Sequence, residues 1–119
     1  MKLREIIELI EGRVLSEAVD LDREVQGGCS ADLMSDVLAY SLSNAVLLTG
    51  LCNPQVVRTA EMADVAAILM VRGKTPTPET LGLAEEVGVP FLGTELTMFE
   101  SCGRLFAAGL PACKLFHGN

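Results

Sequence analysis

The chain has 119 residues, with 9 Lys and Arg against 16 Asp and Glu, a formal charge of −7 and a hydrophobic share of 50%. That length and apolar content suffice for one compact domain with a buried core, which excludes a disordered chain. A sequence pI of about 4.6 with so few cations excludes a reader of phosphate backbones, so no nucleic-acid partner is expected.

Leu3, Ile6, Ile7 and Ile10 recur at helical spacing, Glu5, Glu8 and Glu11 take the other side, and Gly12 follows where helices commonly end. The chain therefore opens on an amphipathic helix. Its acidic residues leave no signal-peptide core, and no later apolar run approaches the roughly 20 residues of a membrane span, so a cytoplasmic protein without a membrane partner is expected. Val14-Leu15 is a short strand candidate, and the polar stretch through Asp20, Asp22 and Arg23 into Val25 reads as a loop. Gly27-Gly28 predicts a glycine turn ahead of Ser30 and Asp32, both good N-caps, with Leu33, Met34, Val37 and Leu38 as the buried face of a second helix.

Ala45 to Thr49 is an apolar run of strand length, ended by Gly50 to Pro54, where Asn53 precedes Pro54 as N-cap before N1. A third helix is predicted over Gln55 to Met62 with Val56, Ala60 and Ala63 inward, then the most hydrophobic strand from Val65 to Val71. After a loop at Arg72-Gly73-Lys74-Thr75-Pro76, Thr77 caps a fourth helix with Pro78 at N1 and Gly88 as its stop. Pro90-Phe91-Leu92 is the last strand, and Thr97-Met98-Phe99-Glu100 fits a capping box opening a helix that ends near Gly109, beyond which Leu115 and Phe116 form an apolar tail. Strands without polar alternation, joined by helices, predict a small parallel-sheet three-layer α/β/α sandwich: one domain, 1–119, with 111–119 as a C-terminal tail.

Four cysteines, Cys29, Cys52, Cys102 and Cys113, include no CxxC pair and are expected as thiols in or near the core. Gly73-Lys74-Thr75 fails as a phosphate-binding loop: Ile68 stands where the first glycine is needed, and Pro76 interrupts the helix that should follow. Gly27-Gly28 reads either as a tight turn with positive φ or as a backbone anion cradle at a helix start. The one histidine, His117, sits in the tail and supports no nucleophilic device. Asp20, Asp22, Asp32 and Asp36 are solvated caps and helix-face charges, or else oxygen ligands for Mg²⁺. Ligands of parallel sheets favour the loops at the carboxyl ends of the strands, which here hold Gly27, Gly28 and Ser30; Thr49, Gly50 and Asn53; Arg72, Gly73 and Lys74; and Gly93 and Thr94. Arg72 and Lys74 are the cations among them, where an anionic ligand is expected.

Asp22-Arg23-Glu24-Val25-Gln26-Gly27-Gly28, followed by Ser30 through Val37, resembles the DRTGG domain family, as do Gly73-Lys74-Thr75-Pro76, Gly88-Val89-Pro90 and the stretch from Thr94 to Leu105. The resemblance implies an accessory module found alone, beside CBS pairs in certain inorganic pyrophosphatases, or in the amino-terminal part of some phosphate acetyltransferases. It also implies a fold similar to the amino-terminal domain of HPr kinase/phosphorylase and of the Mur ligases, and a homodimer. Some free-standing members are encoded near iron-only hydrogenases, which points to redox metabolism.

Together these readings give a non-catalytic regulatory or ligand-sensing module, homodimeric and without a cofactor, that binds a nucleotide or other anionic metabolite. Its candidate ligand-binding residues are Asp22, Arg23, Gly27, Gly28, Ser30, Asp32, Asn53, Arg72, Lys74 and Thr94. The alternatives are an adaptor that docks another protein, with Leu115 and Phe116 completing the interface, and a Mg²⁺-dependent phosphohydrolase using Asp22, Asp32 and Asp36.

Overall fold

The unbroken apolar runs of the sequence become neighbouring strands buried on both faces. In the computed structural model, which describes residues 1–17, 19–40 and 43–113, the order is α1 (Leu3–Leu9), β1 (Arg13–Val14), β2 (Gly27–Ser30), α2 (Met34–Tyr40), β3 (Ala45–Thr49), α3 (Pro54–Met62), β4 (Ala67–Met70), α4 (Pro78–Val87), β5 (Phe91–Gly93) and α5 (Met98–Ala107). The strands form one sheet ordered β1-β5-β4-β3-β2. β2 to β5 run parallel, and a ladder crosses them from Cys29 to Leu47, Ile68 and Phe91.

Leu47, Ile68 and Phe91 of that ladder face one layer, where they pack with Met34 and Val37 of α2, Val56, Val57 and Ala60 of α3, and Ala84 of α4. Val46, Leu48, Leu69 and Leu92 point the other way, against Leu3 and Ile6 of α1, Ile10, and Leu105 of α5. Removing both sets from water makes the strands uniformly apolar. Each fully buried aliphatic or phenyl side chain contributes roughly 1.5–3 kcal/mol. Truncating one, as in Leu47→Ala, costs about 2–5 kcal/mol because a cavity remains.

The chain steps in one direction from β2 to β5, so crossovers of a single hand lay α2, α3 and α4 on one face. The other face is left to α1 and α5, which stand outside that run. The three-layer arrangement is as expected, with one difference in direction. β1 pairs antiparallel with β5, Arg13 opposite Gly93 and Val14 opposite Leu92, and closes that edge with a strand of two residues.

Local chemistry fixes the later helices where the sequence places them. Thr77 Oγ1 accepts the Thr80 N–H at 3.2 Å, Pro78 occupies the first turn, and Gly88 closes α4 with a left-handed φ of 79°. Thr97 Oγ1 likewise accepts the Glu100 N–H at 3.2 Å, but the Glu100 carboxylate binds Arg104 at 2.8 Å rather than returning to the cap.

Two expectations are corrected. Gly27 and Gly28 form no turn: they lie in β2, neither has a positive φ, and α2 starts well after them. At Gly27 the lack of a side chain has another cause. The chain after α5 returns along the outer edge of β2, where the Gly28 N–H donates to the Pro111 carbonyl at 2.9 Å and the Cys113 N–H to the Gly28 carbonyl at 3.0 Å. A Cβ on Gly27 would lie 3.2 Å from that Pro111 oxygen. The second correction concerns α2, where Met34 and Val37 are buried but Leu33 and Leu38 are 61% and 47% exposed. The helix begins only at Met34, so one i, i+3 pair faces the core. Leu115, Phe116 and His117 lie outside the described residues.

Candidate functional site

The ends of β2, β3 and β4 bring Asp32, Thr49, Gly50, Arg72 and Lys74 together. β3 ends in Thr49-Gly50, and the Asp32 carboxylate reaches across from the chain leaving β2. Its Oδ1 accepts the Thr49 hydroxyl and the Gly50 N–H, each at 2.8 Å. Thr49 is itself wholly buried, and its Oγ1 accepts the Leu51 N–H at 3.2 Å, so the hydroxyl that holds Asp32 is fixed from both sides. Chiefly the Gly50 N–H, then the Thr49 hydroxyl and the positive fields of Lys74 and Arg72, hold the Asp32 carboxyl below the usual carboxylate range, against partial desolvation. Asp32 is therefore an ionised, oriented carboxylate rather than the N-cap expected of it.

Arg72 and Lys74 are placed by the turn after β4. Arg72 takes a left-handed φ of 59° and Gly73 one of 67°. For arginine that conformation costs on the order of 1 kcal/mol and persists because the surroundings fix it. The Arg72 N–H donates to the Leu96 carbonyl and the Gly73 N–H to the Thr94 carbonyl, both at 2.8 Å. The loops after β4 and β5 leave for opposite faces, to α4 and α5, which is where a parallel sheet usually opens a ligand crevice. Here those two bonds stitch the crevice shut. The cations are turned instead toward the end of β3: a methyl group on Gly50 would sit 3.6 Å from Arg72 Nη2, 3.7 Å from Lys74 Nζ and 3.7 Å from Asp32 Oδ2.

Among the described residues, neither Arg72 nor Lys74 forms an ion pair; the nearby Glu95 is engaged by Arg13 at 3.1 Å. The spot above Gly50 is thus lined by two exposed cations and one carboxylate. Such a set binds polar anions through charge-assisted hydrogen bonds.

The remaining candidates are dispersed. Asn53 caps α3 next to this site, exposed and with no side-chain bond to the helix. Ser30 is exposed at the end of β2, and Gly27 and Gly28 face the 111–113 segment. Thr94 is wholly buried and its hydroxyl donates to the Ile10 carbonyl at 2.7 Å. Asp22 and Arg23 lie at the opposite end of the sheet: Asp22 pairs with Arg4 at 3.0 Å, and Arg23 donates to Asn44, which precedes β3, at 3.1 Å. The Arg4 hydrogen bond and charge hold the Asp22 carboxyl below its ordinary value. Asp36 stands on α2, so Asp22, Asp32 and Asp36 do not meet, and among the described residues no three His, Cys, Asp or Glu side chains converge as metal ligands would. The sequence places Thr49 at the end of a strand and Gly50 in the loop after it, with neither among the candidate ligand-binding residues; a Thr-Gly pair closing a buried strand is the signal they offered.

A concavity lies on the other face of the sheet. Gly28, Leu48, Cys102, Leu105, Phe106 and Leu110 line an apolar cleft of about 230 Å³ between β2 and α5. Phe99 and Phe106 of α5 are 91% and 69% exposed. Cys52, Cys102 and Cys113 are half-buried free thiols, and Cys29 is half-buried in β2.

The chain matches no protein-family model and no curated protein. Among solved structures it is similar to the CBS and DRTGG domains of the regulatory region of Clostridium perfringens pyrophosphatase, complexed with its activator diadenosine tetraphosphate. The TM-score is 0.71 at 15% sequence identity, and the match covers 99% of this chain. The chain spans about half the length of that structure, 51%. No helix among the described residues is long and apolar enough to cross a membrane. At this identity the likeness carries the architecture alone, and the conclusion is that the chain has a DRTGG-like α/β fold, shared with part of a pyrophosphatase regulatory region.

Proposed function

We propose that the chain is a cytoplasmic, non-catalytic regulatory module that senses a small anionic metabolite or nucleotide at the end of β3. The observation that carries this reading is the convergence of Arg72 and Lys74 on Gly50, without an ion-pair partner among the described residues, on a protein of formal charge −7. Similarity to a regulatory region solved with a nucleotide activator supports it. A ligand that binds only the folded state raises stability by about 2.7 kcal/mol at a hundredfold excess over Kd. A thermal-shift panel of nucleotides and phosphate compounds is expected to find such a ligand, and Arg72→Ala with Lys74→Ala to remove its effect. A panel without any shift would overturn the reading.

The exposed Phe99 and Phe106 favour a second, compatible reading, a homodimer or a docking adaptor that covers α5. Light scattering of the full chain against Phe106→Asp tests it: a dimer that becomes a monomer supports self-association, and a wild-type monomer that captures no partner removes the reading.

A further inference from the structure

We propose that the site over Gly50 takes a hydroxyl-bearing phosphoester, a nucleotide or sugar phosphate, in preference to inorganic phosphate, and that Asp32 sets this preference. The inference rests on the ligand-sensing reading above. Two cations alone would bind any phosphate, but here a carboxylate oxygen stands as near the same point as they do, with Asp32 Oδ2 at 3.7 Å, Lys74 Nζ at 3.7 Å and Arg72 Nη2 at 3.6 Å from the position of a methyl on Gly50.

The three tips are thus close enough together for one ligand group placed among them to meet N–H donors from Arg72 and Lys74 and an acceptor from Asp32. A deprotonated phosphate oxygen only accepts, so Asp32 repels it. A hydroxyl both accepts and donates, and satisfies all three. Asp32 cannot turn aside, because its Oδ1 is held by the Thr49 hydroxyl and the Gly50 N–H, at 2.8 Å each, while Oδ2 has no hydrogen bond among the described residues. The same bonds keep it ionised. The outward N–H groups of Arg72 and Lys74, both exposed, remain for the phosphate of the same molecule.

Isothermal titration of the full chain with AMP, ribose 5-phosphate and inorganic phosphate tests the assignment. At least one hydroxyl-bearing compound is expected to bind about tenfold or more tighter than phosphate, since a hydrogen bond to a charged group such as the Asp32 carboxylate is worth at least about that factor. Binding of both points to the sugar phosphate as the recognised part, and of AMP alone to the nucleotide. Asp32→Asn keeps an oxygen for Thr49 and Gly50 but loses the charge, and is expected to bring the ratio to within about threefold while phosphate binds more tightly. Gly50→Ala places its methyl at ordinary contact distance, so the fold and Tm are expected to persist while binding falls about tenfold or more. Binding of phosphate as tight as that of both AMP and ribose 5-phosphate, an unchanged ratio in Asp32→Asn, or full binding by Gly50→Ala would overturn the role of this point and leave ligand sensing standing. Failure of every probe to bind would remove both.

Discussion

The Thr94 hydroxyl donates to the Ile10 carbonyl at 2.7 Å and joins the end of β5 to the end of α1 in the interior. Its oxygen also accepts the Leu96 N–H at 3.2 Å. Thr94→Val keeps the shape but strands both groups, and is expected to lower unfolding stability by about 1–3 kcal/mol in denaturant titration. Ligand-induced stabilisation should remain, because the hydroxyl is wholly buried and engaged by Ile10 and Leu96.

Asp32 makes a pH prediction with a defined sign. Its folded value lies below the ordinary 3.8, so its contribution is fully present above about 3.8 and is lost as pH falls through the lower folded value. Melting curves from about pH 5 downward should fall less steeply in Asp32→Asn than in the wild type. Equal slopes would show that its bonds to Gly50 and Thr49 contribute nothing to folding.

Ser101 presents the opposite case to Thr94. Its hydroxyl is wholly buried in α5 and, among the described residues, is the one buried side-chain oxygen or nitrogen without a hydrogen-bond partner. Ser101→Ala removes an unsatisfied polar atom and installs a better helix former, so a gain of about 1 kcal/mol is expected by chemical denaturation. A loss would mean that the hydroxyl is satisfied in solution.

Gly27→Ala tests the edge of β2. The added methyl would press on the Pro111 carbonyl oxygen at 3.2 Å, so the 111–113 segment must shift or detach. The Gly28 and Cys113 amides, bonded across that edge, should exchange with deuterium faster in the variant while the β3 amides keep their protection.

What was legible in the sequence was what depends on neighbours along the chain. Thr77-Pro78 and Gly88 bound α4 by cap chemistry alone, and β3 and β4 declare themselves because both faces are buried. Gly27-Gly28 misleads because the group that crowds a side chain at Gly27 is the distant Pro111 backbone, which no local pattern reveals. The direction of β1 was hidden for the same reason, being fixed by its pairing with β5. For the site, the strand pattern pointed to the loops holding Arg72, Lys74 and Gly50. It did not separate Asp32, which turns toward Gly50, from Asp22, whose loop returns to Arg4 at the other end of the sheet.

The layer formed by α1 and α5 draws on the first and the last helix, and Arg104 of α5 donates to the Leu9 carbonyl at 3.2 Å where α1 ends. A nascent chain emerging from the ribosome can therefore coat one side of its sheet as it goes, while on the other, where α1 is already made, Leu48 lacks its α5 neighbour Leu105 until residues 98–107 are out. The sheet of this domain is clad on both sides only once α5 has been made, and a message truncated just short of α5 would yield a sticky half-clad intermediate rather than a smaller working domain.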